Sequence, residues 1–328
     1  MLRKLRFTSL ALGLLGLAPA AMASYELLMI PAADKTIRRI DPISGVSLGS
    51  LGTPAGTKFI QADKSSGVAY VYAQNSIFRQ YYSTGERLNT YNVGNATDIA
   101  LSPDGSTLLV MNGTTISRRN ALTGSVISTQ TLTAPYGTAA SLTYLSPTLL
   151  GVGSRWMPGS FEYPVASSAD ASTLASIGAF GAGSGRNSPV TIGKVGFASL
   201  ADGRSRVLVP GRFSDGGIIF GNTVFNSAGI NVSAFSFTVF GFSTDSTKQL
   251  AVVPSHSGFY VIGADPANNT RVLELDGETL VVLSERTYGF ALPDGRFAPS
   301  IVVAPEPGTM IALGLGLAGI VARRRRRG

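Results

Sequence analysis

"VGNATDIALSPDGSTLLVMNGTTISRRNALTGSVI", residues 93–127, is the stretch from which the rest of the chain is read. An apolar strand at Ile99 enters a Pro103-Asp104-Gly105 turn, and a second apolar strand follows. A third strand at Ile116 stops at Gly124. Pro103 presets φ, the Asp104 side chain caps the turn and Gly105 accepts positive φ. Both elements recur. "IRRIDPISG" at Ile37, "IFRQYYSTG" at Ile77 and "ISRRNALTG" at Ile116 align at steps of about 40 residues, with closing glycines Gly45, Gly85 and Gly124 at the same steps. The strand–turn–strand element returns as "FIQADKSSGVAYVY" at Phe59, "ASLADGRSRVLVP" at Ala198, "FGFSTDSTKQLAVV" at Phe240 and "FALPDGRFAPSIVV" at Phe290. "LTYLSPTLLGVG" from Leu142 is a degenerate copy.

A period near 40 with several strands per repeat predicts an all-β chain, a β-propeller, because a single blade cannot bury both its faces alone. From Tyr25 to Ala304 there is room for about seven such periods, so the expected blade count is seven, with six or eight as neighbouring solutions. A β-sandwich or β-solenoid is the competing architecture. Residues 154–197 are rich in Gly, Ser and Ala and predict one irregular blade. The strand at residues 301–303 is expected beside that at residues 26–30, which would remove exposed sheet edges.

The net charge of +8 is confined to the ends. Residues 1–23 hold Arg3, Lys4 and Arg6, and residues 308–328 hold Arg323, Arg324, Arg325, Arg326 and Arg327, with no acid in either. The body between them is neutral, which argues against a nucleic-acid partner. Charged residues are 14% of the chain, and cysteine is absent, so no disulfide, thiol nucleophile or zinc-thiolate site exists.

Both ends read as addresses. Residues 1–23 have a basic start, an apolar run, then small residues Ala21 and Ala23 around Met22, the layout of a secretory signal helix cut after Ala23. At the other end an apolar segment follows Thr309. As a helix, residues 309–322 would extend about 21 Å, against a hydrocarbon core of about 30 Å. That is short for a permanent anchor, although arginines at its end can reach out to the interface. Arg323 to Arg327 would remain cytoplasmic, and the body outside. The expected domains are therefore a signal peptide at 1–23, a propeller at 24–304 and a sorting segment at 305–328.

Candidate chemistry is sparse. His256, in "VPSHSGFYV", is the single histidine and reads as an exposed turn residue rather than a general base or metal ligand. No metal, nucleophile or phosphate-loop motif is present, so no catalytic residue, metal or cofactor is expected. Arg38, Arg39, Arg79, Arg118 and Arg119 recur at the repeat spacing. They suit either a basic ring for acidic polysaccharide or solvated positions on outer strands. Trp156, with Arg155 and Tyr163, reads as core or loop packing, or else as a sugar-stacking platform.

Pro305, Glu306, Pro307, Gly308 and Thr309, followed by a glycine-rich apolar run and the arginine cluster, resemble the PEP-CTERM sorting signal of Gram-negative bacteria. The resemblance implies recognition and cutting near the Pro-Glu-Pro motif by an exosortase, a membrane-embedded cysteine transpeptidase. It also implies export by the general secretion machinery, a transient stay in the inner membrane and an association with exopolysaccharide and biofilm. The stretch at 93–127 in turn resembles YVTN-type or lactonase-like propeller repeats. Together these imply an exported, non-enzymatic surface or matrix protein. A propeller hydrolase and a permanently anchored receptor are the alternatives.

Overall fold

The computed structural model describes residues 24–132, 138–156, 162–180, 190–232, 236–238, 241–243, 245 and 247–305. The chain divides into two compact units, Leu28–Val302 and a second made of both ends, Met1–Leu27 and Val303–Gly328. In the second unit the described residues, 24–27 and 303–305, are all strand.

Six antiparallel sheets succeed one another along the chain. The first contains β1 (Ser24–Pro31), β2 (Thr36–Ile40) and β3 (Ser47–Gly52). The second is β4 (Phe59–Asp63), β5 (Val68–Ala73), β6 (Ser76–Tyr81) and β7 (Arg87–Asn92). The third is β8 (Asp98–Leu101), β9 (Thr107–Asn112), β10 (Thr115–Asn120) and β11 (Val126–Thr131). The fourth is β12 (Thr138–Ser146), β13 (Leu149–Trp156), β14 (Tyr163–Asp170) and β15 (Ser176–Phe180). In the fifth, β16 (Val190–Ile192) and β17 (Gly196–Ser199) share the same neighbour, β18 (Ser205–Phe213), which leads to β19 (Ile218–Phe225) and β20 (Ser236–Thr238). The sixth is β21 (Ala251–Pro254), β22 (Gly258–Ala264), β23 (Thr270–Asp276) and β24 (Val282–Tyr288). Finally β25 (Ser300–Pro305) joins the first sheet in the order β25-β1-β2-β3, the neighbour relation expected for residues 301–303 and 26–30.

Burial explains which strand goes where. Every residue of β5, "VAYVYA", and of β22, "GFYVIGA", is buried. A second strand has partners on both edges and a neighbouring blade on each face, so its sequence is apolar without alternation. The outer strands β7, β11 and β24 alternate between exposed and half-buried positions. The core lies between blades. Leu109 and Met111 of the third meet Leu142 and Leu150 of the fourth, while Leu28, Ile30 and Ile40 of the first meet Val253, Tyr260 and Ile262 of the sixth. Inner strands also touch through backbone. Lys194 N donates to Leu250 O at 3.1 Å and Val252 N to Lys194 O at 3.0 Å. Gly193 makes that approach feasible, since a Cβ there would lie 1.9 Å from the Leu250 carbonyl oxygen.

The propeller thus has six blades rather than seven. Blades two, three and four start at residues 59, 98 and 138, about 40 apart as the repeats require, but the next first strands start at 190, 251 and 300. The strands lengthen, from five residues in β4 to nine in β12 and β18. One expected strand–turn–strand copy is a connector instead: from Phe290 no strand runs up to the turn. In the other copy, Phe240, Thr244 and Ser246 lie outside the described residues. The Asp245 carboxylate there accepts from Thr247 N and Oγ1 at 2.9 and 2.8 Å, and Lys248 Nζ ties the two stretches together through Asp294 Oδ1 at 2.6 Å. The irregularity expected within 154–197 appears at the break between β16 and β17. The expected signal helix and C-terminal helix lie outside the described residues.

One turn repeats more faithfully than the sequence suggests. Between the third and fourth strands, Asp41, Asn120, Asp170 and Asp276 each accept two backbone N–H groups, from the residues two and three positions on. The residue closing each turn has positive φ. In the first three blades it is Gly45, Gly85 and Gly124, at 77, 78 and 75°. In the fourth and sixth it is Leu174 and Leu280, at 57 and 60°. A leucine in this region is strained. Its buried side chain, 3% exposed in Leu174, offsets the strain.

Candidate functional site

A charged cluster joins blades three, four and five. Lys194, between β16 and β17, directs its ammonium at Asp98 Oδ1 and Oδ2 (3.0 and 2.9 Å), Ile99 O (3.0 Å) and Leu142 O (2.6 Å). Asp98 also accepts from Ser141 Oγ at 2.7 Å and Leu142 N at 2.9 Å. Lys194 is 3% exposed and Asp98 0%, so every charge-bearing atom is satisfied by protein rather than water. Burial pulls the Lys194 pKa below the usual lysine value, against the opposing pull of Asp98. From the connector before β25, Arg296 Nη1 donates to Thr97 O at 3.1 Å and to Ala140 O.

Beside this cluster lies a cavity of about 250 Å³ bounded by Thr97, Ala140, Arg155, Thr191 and Arg296. Its titratable lining, among the described residues, is two guanidinium groups. Arg155 Nε stands 3.8 Å from Glu162 Oε2, which is already held by Val190 N at 2.6 Å. Arg296 Nε is buried with no hydrogen-bond partner. Burial also lowers the Arg296 pKa, opposed by the charge of Asp98. Across the strand from Thr191 stands Arg212, 1% exposed. Its Nη1 donates to Ser243 O at 2.6 Å, and its Nε and Nη2 are unpartnered.

Three of the periodic arginines, Arg39, Arg79 and Arg118, do something other than either sequence reading. They clasp the next blade's turn. Arg39 Nη1 donates to Ser83 O at 2.6 Å, Arg79 Nη1 to Leu122 O at 3.3 Å, and Arg118 Nη2 to Ala171 O and Ser172 O. Arg286 Nη2 reaches Ile43 O at 2.7 Å, linking blade six to blade one. Arg119 Nη1 holds Gly124 O within its own blade at 3.0 Å. Arg38 pairs with Asp34 and lies 5.4 Å over the Phe290 ring. Arg79 is buried, not solvated.

Trp156 and Tyr163 are direct cross-strand partners at the end of the β13–β14 hairpin. The side chain of Trp156 lies outside the described residues. His256 lies in the exposed turn between β21 and β22, as expected, but it has an acidic neighbour that its local sequence does not show: Nδ1 is 3.6 Å from Glu274 Oε1. Glu274 also accepts from Ser257 Oγ at 2.5 Å and Ser284 Oγ at 3.0 Å. No group of three or more His, Asp or Glu among the described residues is placed to hold a metal ion. Asp98, Lys194 and Arg296 were not singled out by sequence. The signal for Lys194 was a lone charge inside the apolar run "TIGKVGFA".

Pro305 is the last residue of β25. Glu306, Pro307, Gly308, Thr309, the cluster Arg323 to Arg327, and Ala21 with Ala23 lie outside the described residues. Residues 303–327 match the family model described as the PEP-CTERM protein-sorting motif. The chain carries a PEP-CTERM sorting motif. That motif implies an exported protein with a C-terminal membrane-anchoring signal, processed by an exosortase. The PEP-CTERM match begins inside β25, so the sorting segment follows the closing strand without a linker. No curated protein matches the chain. Among solved structures, a protein of unknown function from Bacteroides caccae is 13% identical, covering 85% of this chain and 99% of its own, with a TM-score of 0.52. Kuenenia stuttgartiensis hydrazine synthase is 11% identical, covering 79% of this chain and 81% of that one, with a TM-score of 0.50. At such identities the likeness concerns the fold alone.

Proposed function

We propose that this chain is an exported, non-enzymatic β-propeller of a Gram-negative bacterium, released or transferred to the cell surface or extracellular matrix by an exosortase, with a structural or binding role in exopolysaccharide or biofilm. The observation that carries the reading is the PEP-CTERM motif at residues 303–327, continuous with the last propeller strand. Pro305 and Pro307 disfavour helix ahead of the apolar run, so an extended segment would be offered at the membrane face. The S-P-D-G hairpin at Ser102 supports assigning the body to the YVTN type. Secretion would begin with cleavage after Ala23. Mass spectrometry of the mature protein from its native host tests the sorting step: residues beyond Thr309 are expected to be missing. An intact Arg323 to Arg327 on the mature protein would favour the permanently anchored receptor instead.

A lactonase-like hydrolase is the second reading, favoured by the contact of His256 with Glu274 beside Ser257. Hydrolysis of lactone or ester substrates that disappears in His256→Ala would establish it and overturn the non-enzymatic reading.

A further inference from the structure

The cavity at Arg155 and Arg296 carries an excess of positive charge among the described residues, and the Arg296 guanidinium has one nitrogen without a hydrogen-bond partner. Around it stand Lys194, Arg155 and Arg296 against Asp98 and Glu162. Asp98 is committed to Lys194 through both oxygens, and Glu162 to the Val190 amide. Arg296 is held rigidly by Thr97 O and Ala140 O, on two different blades, while its Nε has no acceptor. A buried donor without an acceptor costs about 1–3 kcal/mol. Guanidinium groups that line a cavity, as those of Arg155 and Arg296 do, are suited to carboxylate oxygens. Thr97, Thr191 and the apolar Ala139, Val190 and Ile192 complete the wall, and a mostly apolar pocket with a few fixed polar groups is the usual form of a small-ligand site.

We infer that this cavity binds the carboxylate of an acidic saccharide, with Arg155 and Arg296 as the recognising groups. The saccharide half of the inference rests on the proposed matrix role; the carboxylate half rests on the two arginines. Arg155, 39% exposed in its side chain, meets the ligand first, and Arg296 receives it at the inner end.

Isothermal titration on the mature protein purified from its host provides the test. The probes are trigalacturonate, its fully methyl-esterified form and sodium acetate. Trigalacturonate is expected to bind and to weaken as salt rises, the ester to bind at least tenfold more weakly and acetate not to compete. Arg155→Gln should lose roughly tenfold or more in affinity, as expected for removal of one charge-assisted pair. Its melting temperature should match the wild type, because Arg155 is a rim residue. Arg204→Gln, which disturbs only an exposed pair with Asp202, should bind as wild type. Equal binding of the ester, wild-type affinity in Arg155→Gln or no binding of trigalacturonate would each overturn the inference. None of these outcomes touches the sorting reading, which stands or falls on the mass of the mature C-terminus.

Discussion

Lys194 Nζ lies 2.9 Å from Asp98 Oδ2, and the two side chains tie the fifth blade to the third with no access to solvent. Removing one partner strands a charge in the interior. Asp98→Ala is therefore expected to cost about 3–5 kcal/mol. The double variant Asp98→Leu, Lys194→Met should lose less than the two single changes together, because no unpaired charge remains. Urea unfolding of the four proteins measures both quantities.

The turn carboxylates predict the acid limb of stability. Hydrogen bonds from Ser172 and Thr173 hold the Asp170 pKa down to about 2, and those from Ser102 and Ser106 depress Asp104. A folded pKa below the unfolded value of about 3.9 contributes stability above that value and loses it as pH falls. Melting temperature should stay level down to about pH 4, then fall towards pH 2. Asp170→Asn should lose part of its stability at pH 7, because a neutral amide can cap the turn, as Asn120 does, but accepts the hydrogen bonds more weakly than a carboxylate, and its acid limb should be shallower. Thermal scans across pH decide it.

Gly124 sits under a ring. A Cβ there would lie 2.3 Å from Tyr91 Cγ, at a φ of 75°. Gly124→Ala is expected to destabilise by about 1–3 kcal/mol through strain and overpacking. In a Tyr91→Ala background the same change should cost less, but still more than the backbone part of about 1 kcal/mol, because the Cβ that remains at position 91 lies 2.9 Å from the added carbon. A double-mutant cycle in denaturant reads the coupling.

Arg79 reaches from the second blade to Leu122 O of the third, with its guanidinium 5.5 Å over the Tyr70 ring. Arg79→Met keeps most of the stem but not the charged hydrogen bonds, so a loss of about 1.5–3 kcal/mol is expected. Arg79→Lys should recover little, because the shorter lysine side chain does not bring its ammonium to the position from which Nη1 serves both Asn89 Oδ1 and Leu122 O, and it loses the flat guanidinium over Tyr70. Chemical denaturation of both variants tests this.

Much of the propeller was legible where local chemistry repeats. "PDG" at Pro103 and "TG" at Thr123 mark turns because their backbone requirements are met by the residues themselves. The same turn in blades four and six was hidden by Leu174 and Leu280, which take the left-handed position that glycine fills elsewhere. A buried side chain compensates there, and burial is not a local property. The blade count failed for a related reason. Strand length and connector length vary freely along the chain, and "PDG" at Pro293 lies in a connector with no strand running up to it from Phe290.

The order of amino acids alone determined the turns, the apolar second strands and the chemistry of the tail, since each depends on neighbours within a few positions. Only the tertiary structure decided that there are six blades. It also decided that Arg39, Arg79 and Arg118 serve as clasps, and that Asp98, Lys194 and Arg296, nearly 200 residues apart at the extremes, meet beside one cavity. Such meetings follow from how sheets close around a ring, a long-range condition that no short window of sequence contains.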